Sequence, residues 1–388
     1  MRRDPIFLYR MALHRTWIEL DERALAGNIA TLRRLSPEAR FCAVIKANAY
    51  GHGIKEIAQV ASRNGVDAFG VDHIDDALFL RAIFPGALVL VLGYTMRDRY
   101  AEAIAGHIDL TVYDVEAIKA LESEALKRAG TAHIHLKVET GTARQGVPQE
   151  FLPDILKTIA SCSHIKLDGL STHFATIENT SDTHFATQQV FRFREAERIA
   201  RLMGFSPKWI HCACSAAIIL YPDTHGTMTR AGISMYGIWP STDVEISARK
   251  NLIKCDLAPV LTWKTRIAQV KSLAAGTPIG YGLTESLKRS SRIAVIPVGY
   301  FDGYDRRLSS IGEALVSGHR CKVMGRICMN MMMIDVSEVP NIGPEQEVIL
   351  IGRSGRHAVT FEELAQKVGT IPYEILTRIN PLLPRILV

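Results

Sequence analysis

The chain predicts an α/β fold: an N-terminal (β/α)8 barrel followed by a mainly β C-terminal domain. Three observations carry that expectation. Short apolar, β-branched runs alternate with amphipathic stretches up to about residue 244. The alternation occupies about 225 residues, the length a closed (β/α)8 barrel needs. Beyond it, strand-like runs follow one another without long helices between them.

In chain order, the barrel strands are expected at "FCAVIKA" (41–47), "AFGVD" (68–72), "LVLVLG" (88–93), "LTVYD" (110–114), "HIHLKV" (133–138), "LDGLSTH" (167–173), "WIHCAC" (209–214) and "GISMYG" (232–237). Helix-period segments fill the gaps at 54–64, 75–83, 115–129, 150–161 and 187–203. Prolines at 240 and 259 flank a charged linker. After it come "VLTWKTRIAQVKSL", "RIAVIPVGY", "CKVMGRICM", "MMMIDV" and "EVILIG", closed by one short helix, "FEELAQKVG". The resulting division is an N-terminal extension over 1–14, a barrel over 15–244 and a β domain over 245–388.

The 388 residues are 47% hydrophobic and 22% charged, ordinary for a soluble globular protein with a large core. Net charge is +6, but the basic residues are scattered through mixed stretches such as "RRLSPEAR", which argues against nucleic-acid binding. No apolar run reaches the roughly 18 residues that span a bilayer, so no membrane role is expected. The start, "MRRDPIFLYRMALHR", has a broken apolar patch and makes a poor signal peptide, and Met11 is an alternative start. Seven cysteines, an odd number, point to reduced thiols and a cytoplasmic location.

Barrel active sites form at the C-terminal ends of the strands. There the sequence places Lys46 after strand one, Arg144 after strand five, His173 after strand six, Ser215 after strand seven and Arg230 before strand eight. Such a rim favours an anion and offers one amine nucleophile. The loops at strands seven and eight, which often bind phosphate in barrels, add the Ser215 hydroxyl and the backbone at Gly232 and Ile233. A Schiff-base lysine beside a phosphate cradle suggests pyridoxal phosphate. His133, His135 and "HCAC" (211–214) lack a second ligand pair at zinc spacing, so no metal site is assigned and local hydrogen bonding is expected instead.

"AVIKANAYGHG" (43–53) resembles the cofactor-lysine motif of the alanine racemase family. The likeness continues in "RTWIELD", "KVETGTARQG", "THFA", "TRAGISMYG", "IGYG", "IPVGYFDGY", "GRICMN" and "IPYE", in the same order across both domains. It implies a pyridoxal-phosphate-dependent racemase in which Lys46 holds the cofactor and acts as one base, with Tyr281 as the second. Tyr50, Ser215, Tyr373, Gly232 and Ile233 match the phosphate contacts. Arg230 matches the residue facing the pyridine nitrogen, and His173 the histidine joining Tyr281 to Arg230. Arg144 matches the residue that holds the cofactor's phenolate oxygen and helps with the substrate carboxylate, and Met329 the partner-subunit residue whose backbone N–H holds that carboxylate. Tyr300 stands at the entrance, and Lys137 matches a lysine that is often carbamylated. The resemblance further implies a head-to-tail homodimer in which Tyr281 reaches the lysine of the partner subunit. The implied role is supply of D-alanine for peptidoglycan.

Four positions depart from the family's pattern: Glu139, Thr142–Ala143, Cys214 and Asn330. None removes a catalytic group, but Cys214 and Asn330 leave rate and substrate breadth open. A broader-specificity racemase of serine or larger amino acids is the competing reading. A non-catalytic cofactor-binding carrier is a third, opposed by residues 245–388.

Overall fold

A computed structural model describes residues 14–388. The N-terminal extension over 1–14, the alternative start at Met11 and the weak export signal therefore lie almost wholly outside the described residues. The fold resolves into two compact units that interleave along the chain. One holds residues 23–49 and 57–258, the other the segments up to 22, 50–56 and 259–388. The linear division near residue 244 does not follow these units.

The first unit is built on eight parallel strands, which are β2 (Arg40–Val44), β3 (Ala68–Val71), β4 (Leu88–Val91), β5 (Asp109–Val112), β6 (Ala132–Lys137), β7 (Ile165–Ser171), β8 (Trp209–His211) and β9 (Met228–Ala231). Ladders run in the order β8-β7-β6-β5-β4-β3-β2-β9. The seam between β9 and β8 is joined by Thr227 N–H to the Ile210 carbonyl at 2.9 Å and Arg230 N–H to the Ala213 carbonyl at 3.0 Å. The sheet thus closes as the expected barrel. Strands such as "AFGV" are buried throughout, as a sheet covered by helices requires. Between them run amphipathic helices that bury only one stripe. One, Val115–Lys127, is capped by Asp114, whose carboxylate accepts from Ala117 N–H at 2.7 Å.

Two expectations need correction here. The eighth barrel strand is Met228–Ala231, so Arg230 lies within it; "ISMY" (233–236) is a 3-10 turn. An apolar run between two glycines resembles a strand, but Gly237 takes φ 83°, a left-handed value that ends the turn. The segment between Pro240 and Pro259 is also not a bare linker. It contains the helix Thr242–Lys250, capped by Ser241 on Val244 N–H at 3.1 Å.

The second unit is mainly strand, as expected. It opens with a strand the sequence reading did not assign, β1 (Thr16–Leu20), which pairs antiparallel with β10 (Leu261–Arg266) and parallel with β20 (Arg385–Leu387). The helices Phe361–Val368 and Pro372–Thr377 complete it, the second again unassigned from sequence. Trp17, Trp263 and Tyr304 are fully buried there.

Candidate active site

Lys46 follows β2 by one residue and opens an unusual turn. Ala47, Asn48, Ala49 and Tyr50 all take φ of 52–53°, a left-handed helical turn made without glycine. Each such residue costs about 1–2 kcal/mol, and runs of this strain cluster at functional sites. Ala49 N–H closes the turn on the Ile45 carbonyl at 2.9 Å.

Around Lys46 the barrel rim is cationic. Arg230 is buried on β9, and its guanidinium donates to the carbonyls of Thr172 (2.7 Å), His211 (2.7 Å) and Cys212 (3.3 Å). It also donates to Nδ1 of His211 and, at 3.4 Å, to Nδ1 of His173. Burial, then the charge of Arg230, with Lys137, Arg144 and Lys46 adding to it, pushes His173 down to about 3. His173 is therefore a neutral imidazole whose Nδ1 accepts, leaving Nε2 to carry the proton. The same cations, after burial, bring Lys137 from 10.5 to about 8. Its ammonium donates to Gln145 Oε1 at 2.9 Å.

Arg144 sits on a loop that Glu139 organises. The Glu139 carboxylate accepts from the backbone N–H groups of Gly141 (2.5 Å), Thr142 (2.6 Å) and Arg144 (3.3 Å). Gly141 takes φ 137°, which an L side chain rarely adopts. In the sequence Glu139 stands out only as a departure. Its clamp on the loop was invisible because it acts on backbone, not on a side-chain partner.

Ser215 opens the helix Ser215–Leu220. Its hydroxyl oxygen accepts from the N–H groups of Gly232 (3.0 Å) and Ser234 (3.3 Å). With both lone pairs used, its own proton is directed to an external acceptor. Ser234, missed from sequence, is buried with an unpartnered hydroxyl. An unsatisfied buried hydroxyl is costly, so a further acceptor at this cradle suits the residues present. Hydroxyls, turn amides and four cations fit a phosphorylated, anionic cofactor, and Lys46 fits one bearing a carbonyl. Beside Ser215, burial pushes the Cys214 thiol up to about 11, and its sulfur lies 4.0 Å from Glu178 Oε1. The thiol proton stays in place, so Cys214 adds no anion to the cradle.

The remaining candidates belong to the second unit. The Tyr50 and Tyr373 rings lie 6.1 Å apart. Tyr281 begins a short 3-10 turn between Gly280 (φ 71°) and Gly282 (φ 72°) and is 73% exposed. A Cβ on Gly282 would meet Arg326 Nη1 at 2.9 Å. Tyr300 and Met329 are brought together: Tyr300 N–H donates to the Cys328 carbonyl and Phe301 N–H to that of Met329, both at 3.0 Å. A Cβ on Gly299 would lie 2.2 Å from the Cys328 carbonyl oxygen, so only glycine permits this approach.

His133 and His135 form local hydrogen bonds, His133 to Asp168 and His135 to Asp109 and His211. No group of three or more metal-ligating side chains occurs among the described residues. No helix among them is long and apolar enough to cross a membrane.

Comparison with known proteins adds the following. The family model for the N-terminal domain of alanine racemase matches residues 20–240, and that for its C-terminal domain residues 260–387. An alanine racemase of Leptospira interrogans is 35% identical over 379 residues, 96% of each chain. The crystal structure of alanine racemase from Bacillus anthracis with bound L-Ala-P superposes with a TM-score of 0.90 at 31% identity, covering 97% of this chain and 95% of that one. A histidine racemase from Leuconostoc mesenteroides superposes with a TM-score of 0.87 at 27% identity, covering 97% and 98%.

Proposed function

The chain belongs to the alanine racemase family and is an amino-acid isomerase, and from that premise we propose how its residues interconvert L- and D-alanine. The carrier reading falls away, because the catalytic C-terminal domain of the family is matched over residues 260–387. We propose pyridoxal phosphate as the cofactor. When bound, it withdraws electrons from an attached amino acid and so acidifies the α-carbon. Lys46 would hold its carbonyl carbon. Ser215, Gly232, Ile233 and the newly identified Ser234, with Tyr50 and Tyr373, would hold its phosphate.

The observation that carries this reading is the Arg230 guanidinium, buried and directed by backbone carbonyls and two neutral imidazoles. Arginine keeps its proton at working pH. Arg230, whose Nη groups already donate to protein acceptors, would offer Nε–H to the ring nitrogen without protonating it, which would limit charge withdrawal and disfavour side reactions. Proton transfer then depends on positioned bases. Lys46 Nζ would serve one face of the α-carbon and Tyr281 Oη the other. His173, neutral with its proton on Nε2, would link the Arg230 side to the Tyr281 hydroxyl by hydrogen bonds. Arg144, held by the Glu139 clamp, and the Met329 backbone would position the substrate carboxylate. Tyr300 and Tyr373 would narrow the entrance to small side chains. A carbamate on Lys137, formed from its accessible free amine, would orient Arg144.

We further propose a head-to-tail homodimer in which Tyr281 serves the lysine of the partner subunit. Tyr281, Leu283, Phe301, Met329 and Met331 are all exposed in the protomer, an apolar surface that a second copy would cover. The setting is a cytoplasmic one that supplies D-alanine to peptidoglycan. All seven cysteines are free, which suits a reducing compartment.

The test follows α-deuterium incorporation from L- and D-alanine in deuterated water, with serine and histidine as comparison substrates, for wild type and Tyr281→Phe. The wild type should invert and exchange both alanine enantiomers. The variant should lose exchange from one enantiomer far more than from the other, and borohydride should fix the cofactor to Lys46. Equal loss from both enantiomers would refute the two-base assignment. Faster turnover of histidine or serine would favour the broader racemase, a reading that the histidine racemase likeness keeps specific.

A further inference from the structure

Arg230 is a buried cation, yet it forms no ion pair with a carboxylate among the described residues, and its guanidinium donates only to backbone carbonyls and imidazoles. An unpaired buried charge is expensive. What the structure provides instead is a line of hydrogen bonds leading away from it through the barrel. Arg230 Nη1 donates to His211 Nδ1. His211 Nε2 lies 2.8 Å from His135 Nδ1, and His135 Nε2 lies 3.0 Å from Asp109 Oδ2. His135 is fully buried and His211 is 1% exposed.

The two ends fix the direction of the whole line. A guanidinium can only donate, and a carboxylate can only accept. His211 must therefore present a bare Nδ1 to Arg230 and carry its proton on Nε2. His135 then accepts at Nδ1 and donates from Nε2 to Asp109. Burial, then Arg230, with His135 and Lys137 adding to it, holds His211 well below its ordinary value, so it stays neutral and the direction does not reverse.

The strands are shaped to allow the line. β7 runs between β6, which carries His135, and β8, which carries His211. Opposite His135 stands Gly169. A Cβ there would lie 2.2 Å from His135 Nδ1 and 2.5 Å from its Cγ, so the missing side chain is the gap through which the imidazole reaches His211. The ladder shifts register between Ile134 and His135, which sets Asp168 out as the extra residue and brings Gly169 into that place. Asp168 turns instead to His133 and Lys166.

We propose that Asp109 and His135, seated by Gly169, are positioning residues for Arg230: Asp109 accepts the Nε2 proton that the Arg230 end forces onto His135, and so anchors the line that holds the orientation of the guanidinium. A carboxylate beside Arg230 would compete for its N–H groups. One placed two imidazoles away favours the cation while leaving Nε–H, the group not already donating to acceptors among the described residues, to face a ligand. The catalytic consequence rests on Arg230 facing the cofactor; the tautomer array does not.

The test uses the full chain labelled with 15N-histidine, with and without cofactor. In the wild type, both His135 and His211 should be neutral with the proton on Nε2. Asp109→Asn keeps an acceptor oxygen and should preserve both tautomers. Asp109→Leu leaves the His135 Nε2 proton without its acceptor and should move the His135 Nε2 resonance, weaken cofactor binding about tenfold, the value of one charge-assisted hydrogen bond, and shift the cofactor's absorption maximum. A proton on Nδ1 of either histidine in the wild type would overturn the proposal, and that result needs no variant to fold. An unchanged His135 Nε2 resonance and cofactor spectrum in Asp109→Leu would overturn it as well. If instead the racemase reading were wrong, the wild type would show the tautomer pattern but bind no cofactor.

Discussion

Replacing Lys137 with glutamine should stabilise the protein, and only over a defined pH range. Burial, with Arg230, Arg144 and Lys46 adding to it, lowers Lys137 from 10.5 to about 8. The folded state thus disfavours the ammonium. This penalty is present in full below about pH 8, fades between about 8 and 10.5 and is absent above, where the unfolded chain is also neutral. A gap of that size corresponds to about 3 kcal/mol at most, and partial solvent access reduces it to about 2 kcal/mol. Lys137→Gln removes the charge and keeps a polar head near Gln145. For a chain of this size, about 2 kcal/mol raises Tm by about 2–3 °C. The assay is thermal unfolding of wild type and variant in carbon-dioxide-free buffer at fixed protomer concentration, from pH 6 to 10.5. The gain should be largest at pH 6–7 and vanish by pH 10.5. A gain that is constant with pH, or a loss at pH 7, would show that Lys137 is not a suppressed ammonium. It would also undercut the free amine on which carbamate formation depends.

Gly169→Ala should cost about 3 kcal/mol, because displacing His135 breaks its bonds to both His211 and Asp109 inside the barrel; a Tm within 1 °C of wild type would contradict the close approach. His133→Gln should matter at low pH and not at high pH. The hydrogen bond that His133 donates to the Asp168 carboxylate raises His133 above its ordinary value. Its stabilisation is therefore complete below about pH 6.5 and lost as pH rises through the folded value. Solvent screening limits the effect to about 1 kcal/mol, read as a Tm difference at pH 5.5 that disappears by pH 9.

What could be read from sequence divides along physical lines. The alternation of "AFGV" and "LVLV" with amphipathic stretches exposed the barrel, because buried parallel strands and striped helices are local patterns. Lys46 after an apolar run stood out for the same reason, as a charge too costly to leave without a task. The eighth strand was misplaced because "MTRA" has little β-branching, while "GISMYG" has the apolar content of a strand but glycine-governed geometry. "TWIEL" was missed as a strand because its partners lie near residues 265 and 385. Asp109 and Gly169 carried no motif, and His135 stood out only as one of a histidine pair without a second ligand pair at zinc spacing. Their relation exists only once β7 brings a missing side chain between two histidines. Ser234 was hidden likewise, since an orphaned hydroxyl is visible only when its surroundings are.

The pairing of Thr16–Leu20 has a kinetic consequence. Thr16 is aligned with Thr265 and Ile18 with Arg385, so the first strand to be synthesised waits for nearly the whole chain. At about 5–20 residues per second, the interval before Thr265 is made is about 10–50 s. Throughout it the nascent chain displays "TWIEL" as an open template for pairing with other chains. Slow translation or a stall in the barrel region would lengthen that exposure without altering a single native contact. Yield of this protein in cells should therefore depend on chaperone capacity during synthesis more than on the stability of the finished fold.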